Sequence, residues 1–246
     1  MADFVLDMFT LFGPVPPRGG ETGTARLQAL LERHDIAGAV TLSTRGLYHS
    51  AAAGNRETIA LCAEAGPKLA PAVVLDPRQP GAERTIAGGR VLCLLPDTQR
   101  WPALFAPAAD LLRSLVAAGG SATANLPLWW EAARPGDATA IAQTLRETGY
   151  PAPVILGGVT GECLYEAIVA AKGNDRLFIA TNGLQGIGEV KTAVDAIGAN
   201  RVVFGSGAPA RSLGSALALV RSAGLSPDAQ AAVFGGNARK LLGGAQ

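Results

Sequence analysis

The chain has 246 residues, a formal net charge of +1, 17% charged and 48% hydrophobic residues, and three cysteines. A chain this long can bury a large core, and no linker or shift in composition divides it, so residues 1–246 are expected to form one domain. The composition excludes disorder, and near-neutral charge without a Lys/Arg cluster gives no footprint for nucleic acid.

Short runs rich in Val, Ile and Leu recur along the chain. They predict strands at Phe4–Phe9, Ala37–Ser43, Leu69–Leu75, Arg90–Leu95, Ala122–Leu126, Pro153–Leu156, Leu177–Thr181 and Arg201–Ser206. Between them lie segments with helical spacing of apolar residues. Leu27, Leu30 and Leu31 mark one, Phe105, Ala108, Leu111, Leu112 and Leu115 a second, and Leu213, Leu217 and Val220 a third. The stretch Asp76–Gly89, rich in Pro, Gly and charge, reads as a long loop. Ser226-Pro227-Asp228 reads as a helix start, with Ser as N-cap and Pro in the first turn, and Gly235-Gly236 then separates a last short helix, Asn237–Leu242.

Apolar strands alternating with helices need a parallel sheet buried on both faces. About eight such strands at this length predict a (β/α)8 barrel with extra C-terminal helices, with an open doubly wound sheet as the competing architecture. The mean hydropathy is +0.24, yet no apolar stretch approaches the roughly 18–20 residues that cross a bilayer, so no membrane partner is expected. Met1-Ala2-Asp3 lacks the basic start of a secretory signal, and Cys62, Cys93 and Cys163 are too scattered for a disulfide framework. Both features point to a reducing cytoplasm.

A barrel keeps its chemistry at the carboxyl ends of the strands. The residues there are Asp7 with Phe9 and Leu11, Ser43-Thr44-Arg45, Asp76 with Arg78, Asp97, Asn125, Gly157-Gly158, Thr181-Asn182 and Ser206-Gly207. Of two histidines, His34 falls on the apolar side of the first helix and reads as a packing or helix-end residue. His49, after the second strand, lies either on the surface or over the barrel mouth. No His, Cys or carboxylate ligands stand at metal-ligand spacing, so no metal and no other cofactor is expected. Asp7, Asp76 and Asp97 alone would make an oxygen-only magnesium site, but Asp76 reads equally well as a turn residue. Cys93 and Cys163 lack a nearby base and read as buried, inert thiols. Glu131 and Glu162 follow the fifth and sixth strands and offer acid–base chemistry, although charged residues that open helices are ordinarily solvated.

Glycine offers a phosphate-binding alternative. Gly183-Leu-Gln-Gly-Ile-Gly188 and Gly205-Ser-Gly207 follow the last two strands, where barrels can hold phosphate on backbone N–H groups. Tight turns use glycine in the same way. Trp129-Trp130, just past the expected fifth strand, would serve as a lid or pocket wall, or pack against a helix or a second copy. The ligand-binding candidates are therefore Arg45, His49, Asn125, Trp129, Thr181 and Ser206, with Asp7 the one catalytic candidate and a small molecule the expected ligand. The apolar fraction also leaves room for an exposed patch and homo-oligomer formation.

The ending Arg201-Val-Val-Phe-Gly-Ser-Gly-Ala-Pro209, followed by Gly224-Leu-Ser-Pro227 and Gly235-Gly-Asn-Ala-Arg-Lys-Leu-Leu242, resembles that of the amidohydrolase-related family, metal-dependent hydrolases of the (β/α)8 barrel fold. Phe4-Val-Leu-Asp7 and Val74-Leu-Asp-Pro-Arg78 agree with it. The resemblance implies a first strand ending Asp-x-His-x-His, and Phe9 and Leu11 stand at the two histidine positions. A histidine ending the fifth or sixth strand finds no counterpart in Ala124-Asn125 or Gly157-Gly158, and the aspartate expected after Phe204-Gly-Ser206 is Gly207. What carries over is Asp7 and a scaffold pair, Asn237 and the Phe204-Gly205-Ser206 turn. The implied reading is a family-like barrel without the metal site, binding a small molecule or regulating a partner. The alternative is a metal-independent hydrolase, lactonase or lyase using Asp7 with a carboxylate or Arg45.

Overall fold

The computed structural model describes residues 4–15, 20–118 and 125–243. The apolar runs form strands β1 (Val5–Val15), β2 (Gly20–Thr22), β3 (Ile36–Ser43), β4 (Leu69–Val74), β5 (Val91–Leu94), β6 (Leu128–Glu131), β7 (Val154–Gly157), β8 (Leu177–Ala180) and β9 (Val202–Val203). Helices α1 (Thr24–Arg33), α2 (Thr44–Tyr48), α3 (Ala51–Ala65), α4 (Pro96–Gln99), α5 (Ala106–Ala117) and α6 (Asp137–Thr148) alternate with them. So do α7 (Gly161–Lys172), α8 (Glu189–Ile197) and α9 (Leu213–Arg221), and the chain ends in α10 (Pro227–Ala231) and α11 (Asn237–Leu241).

The strand order is β2-β1-β3-β4-β5-β6-β7-β8-β9, and every pairing except β1 with β2 is parallel. The sheet edges meet where the segment after β9 runs beside β1. Met8 N–H donates to Phe204 O at 2.9 Å, Gly207 N–H to Phe9 O at 2.8 Å and Leu11 N–H to Ala208 O at 2.7 Å. These bonds close eight parallel strands into the expected (β/α)8 barrel, since a closed sheet leaves no edge unpaired.

Side chains divide into two packed layers. Met8, Val40, Leu42, Val74, Cys93, Trp129 and Ile155 fill the barrel interior. Leu27, Val73, Leu92, Leu112, Trp130, Ile141 and Leu164 pack between strands and helices. Alternate residues of β5 and β6 feed opposite layers, which is why those strands are apolar on both faces.

Three expectations need correction. The fifth barrel strand does not occupy Ala122–Leu126. Residues 122–124 lie outside the described residues, Asn125 and Leu126 precede the strand, and β6 is Leu128–Glu131. Leu-Trp-Trp gives each face of the sheet a large ring, which Ala-Thr-Ala-Asn-Leu cannot. β1 runs past Phe9 to Val15 and pairs antiparallel with β2, an addition the apolar pattern did not announce. Gly235-Gly236 does not separate two helices, because a π-helical turn over Ala232–Gly236 joins α10 to α11. The cap at Ser226 is as expected, with its hydroxyl accepting from Ala229 N–H at 3.3 Å.

Candidate functional site

Because β6 starts at Leu128, Trp129 lies inside the strand and points into the barrel, where it is 1% exposed. Its ring stacks on Phe9 with centroids 4.5 Å apart and planes 14° from parallel. The neighbouring strand ends make room for it. A Cβ on Gly157 would lie 2.1 Å from Trp129 Cε2, and one on Gly205 would lie 3.3 Å from Cη2. The stack therefore occupies the space between the carboxyl ends of β1, β6, β7 and β9. Trp130 points the other way, into the helical layer, and its indole N–H has no partner.

Asp7 is fully buried beside this stack. Its carboxylate accepts from Phe9 N–H at 3.1 Å, from Ser206 N–H at 2.9 Å and from the Ser206 hydroxyl. Burial pushes its pKa up to about 7, against the lowering effect of those three bonds. The turn after β9 is saturated in the same way. Gly205 N–H donates to Thr181 Oγ1 at 3.1 Å, Ser206 N–H to Asp7, Gly207 N–H to Phe9 O, and Ala208 N–H to Ser206 Oγ at 2.9 Å. In the glycine-rich loop after β8, Gln185 and Gly186 N–H both donate to Glu189 Oε2 at 2.8 Å. A phosphate nest needs free N–H groups, and the chain's own side-chain and carbonyl oxygens have taken these.

Of the other expected residues, Arg45 opens α2 over the mouth and pairs with Glu57 at 2.9 Å, while Ser43 Oγ donates to the same carboxylate at 2.8 Å. His49 is the exposed C-cap of α2. Asn125 lies before β6, at the amino end of the barrel and away from the other candidates, because the strand begins later than expected. His34 is the C-cap of α1, as read from its position. Asp76 is a turn residue, its carboxylate gripped by Arg78 Nε at 2.8 Å and Nη2 at 2.9 Å. Burial alone would raise its pKa, but Arg78 holds it below the ordinary carboxylate range. Burial pushes the Cys62 thiol up to about 12 and the Cys93 thiol further still, with the Glu131 charge adding to the effect at Cys93, so neither is a ready nucleophile.

Glu131 ends β6, where the earlier strand placement had put Asn125. Far from being solvated, it is largely buried and accepts from Thr98 N–H and Thr98 Oγ1, both at 2.8 Å. Burial raises its pKa despite those bonds. Nearby, Asp97 pairs with Arg134. Among the described residues, no three His, Cys, Asp or Glu side chains converge to hold a metal ion.

A cavity of about 550 Å³ opens beside the stack, between the loop after β8 and α9. Thr181 and Ser206 line it, as do Asn182, Gln185, Arg211 and Ser212, over an apolar wall that includes Leu184 and Leu219. Two of the expected ligand residues thus meet at one cavity. Sequence reasoning missed Arg211, because a lone arginine after a turn carries no motif.

The strand order and the seam bonds define a (β/α)8 barrel. A model of the amidohydrolase family matches residues 164–244, so the resemblance read from the sequence holds over the last third of the chain. No curated protein matches. Among solved structures, a 2,6-dihydroxybenzoate decarboxylase from Rhizobium shares 12% identity at a TM-score of 0.72, with 96% of this chain and 98% of that one covered. A 5-carboxyvanillate decarboxylase from Sphingomonas paucimobilis shares 12% identity at a TM-score of 0.68, covering 97% and 98%. An amidohydrolase from Burkholderia multivorans shares 13% identity at a TM-score of 0.69, covering 97% and 99%. At these identities the likeness is one of fold.

Proposed function

We propose that this chain is an amidohydrolase-like barrel that binds a small molecule at its rim and does not carry out metal-dependent hydrolysis. The observation that carries the reading is the Phe9–Trp129 stack, 4.5 Å between centroids, at the β1 position where the resemblance places the first metal ligand. The residues present do not fit a divalent cation. Leu11 is apolar, Gly157 is filled by Trp129, and Gly207 carries no donor. Asp7, Asp76 and Asp97 are engaged by Ser206, Arg78 and Arg134, which leaves Glu131 at a strand end where a catalytic zinc needs three protein ligands. Without a cation, neither a polarised carbonyl nor an activated water is available to a hydrolase of that type.

Asp7 supports the same reading. Its oxygens are spent on Phe9 and Ser206, so it serves as a clamp across the barrel seam. The test is turnover of simple esters, lactones, amides and aromatic carboxylic acids by the purified chain, with and without a strong chelator. The account expects no chelator-sensitive turnover. Hydrolysis or decarboxylation that chelation abolishes and zinc or manganese restores would overturn it.

A further inference from the structure

We infer that the cavity between the loop after β8 and α9 is an anion-binding site for a small organic acid, with Arg211 as its charged anchor. The inference rests on the small-molecule reading above and gives it a site and a ligand class. At Gly207, where the resemblance expects an aspartate, φ is +72° and no side chain is present. The aliphatic stem of Arg211 packs beside that place. Its Cδ lies 3.3 Å, and its Cγ 3.6 Å, from where a Cβ on Gly207 would stand. The charged group that the chain presents beside this turn is therefore a cation.

The hydrogen-bonding capacity left in the cavity has the same sign. Arg211 Nη1 donates to Asn182 O at 2.7 Å, and among the described residues no carboxylate pairs with the guanidinium. Asn182 Oδ1 accepts from Gly158 N–H at 2.9 Å, which leaves its amide NH₂ to donate. The Ser212 oxygen accepts from Ser215 N–H at 3.2 Å, which leaves its hydroxyl hydrogen. The Thr181 and Ser206 hydroxyls are consumed by Gly205 and Asp7. Among the described residues no acidic side chain lines the cavity, whereas Leu184, Ala210, Ala216 and Leu219 give it an apolar wall. Spare donors around one guanidinium, beside an apolar wall, fit a carboxylate on a compact hydrocarbon body.

The experiment is calorimetric titration of the full chain with cyclohexanecarboxylate, its neutral carboxamide and inorganic phosphate, repeated on Arg211→Gln and Arg211→Lys. The expected result is carboxylate binding about tenfold tighter than the amide, a preference that added salt weakens, that Arg211→Gln erases and that Arg211→Lys partly keeps. Phosphate competing with the carboxylate would support the anion site without requiring the apolar wall. Equal binding of acid and amide, unchanged affinity in Arg211→Gln, or no binding of either anion would overturn the inference. Equal binding of acid and amide would still leave the small-molecule reading intact, while a chelator-sensitive activity would overturn that reading and leave the anion site standing.

Discussion

Asp7 shows how a single residue can look catalytic in sequence and be structural in the fold. It has no exposed surface, and its two oxygens receive three donors from Phe9 and Ser206, so it joins β1 to the turn that follows β9. Its pKa of about 7 also makes stability depend on pH. The unfolded carboxyl ionises near 3.8, so below that pH both states are protonated and the buried acid carries no penalty. As pH rises from 4 toward 7 the unfolded state releases its proton first, and folding loses about 4 kcal/mol before levelling off, at ~1.4 kcal/mol for each unit of pKa difference. Asp7→Asn removes that slope, because the amide keeps a carbonyl acceptor for the two N–H groups and the Ser206 hydroxyl can turn to accept from its NH₂. Denaturant unfolding at pH 4 and pH 8 should therefore show the variant gaining on the parent by about 4 kcal/mol across that range. A parent–variant difference that stays constant with pH would contradict it.

At the scale of elements, β6 and β7 are fitted to each other through one ring and one missing side chain. Trp129 lies where a Gly157 Cβ would collide at 2.1 Å, so Gly157→Ala must push the indole off Phe9. That should cost about 2–3 kcal/mol by overpacking, and Trp129→Ala about 3–5 kcal/mol by leaving a cavity. In the double variant the new methyl enters the space the ring has left, so the combined loss should be smaller than the sum of the two. Strict additivity in chemical denaturation would mean that the two residues do not share that space. The same pair marks what the sequence could and could not reveal. Strands such as Val91–Leu94 and Val154–Gly157 are apolar on both faces, and a buried parallel strand demands that, so they were legible. Trp129 was visible as a large ring near the rim, but its direction depended on whether the strand began at Ala122 or Leu128, and composition does not decide register. Ser226 and Pro227 announced α10 through local capping chemistry, whereas the turn joining α10 to α11 depends on packing of Phe234 and Asn237 against β9 and its surroundings. Arg211 was illegible for the same reason, since its role exists only beside Gly207.

For the whole molecule, the scaffold and the mouth are held by different interactions. The scaffold keeps its seam through backbone bonds between β1 and the turn after β9, and Asn237 ties α11 to it by donating to Ala199 O at 2.7 Å and Val202 O at 2.8 Å. Among the described residues, no helix is long and apolar enough to cross a membrane. At the mouth, Phe9, Leu11, Gly157 and Gly207 stand at positions where the resemblance implies metal ligands. The fold does not depend on such ligands, because its stability lies in the two apolar layers on either side of the strands and not in the rim. The decisive measurement is elemental analysis of the intact chain after incubation with excess zinc or manganese and exhaustive dialysis. The account predicts far less than one bound ion per chain. One firmly retained ion per chain, lost together with its spectroscopic signature when Glu131 is replaced by Gln, would contradict it.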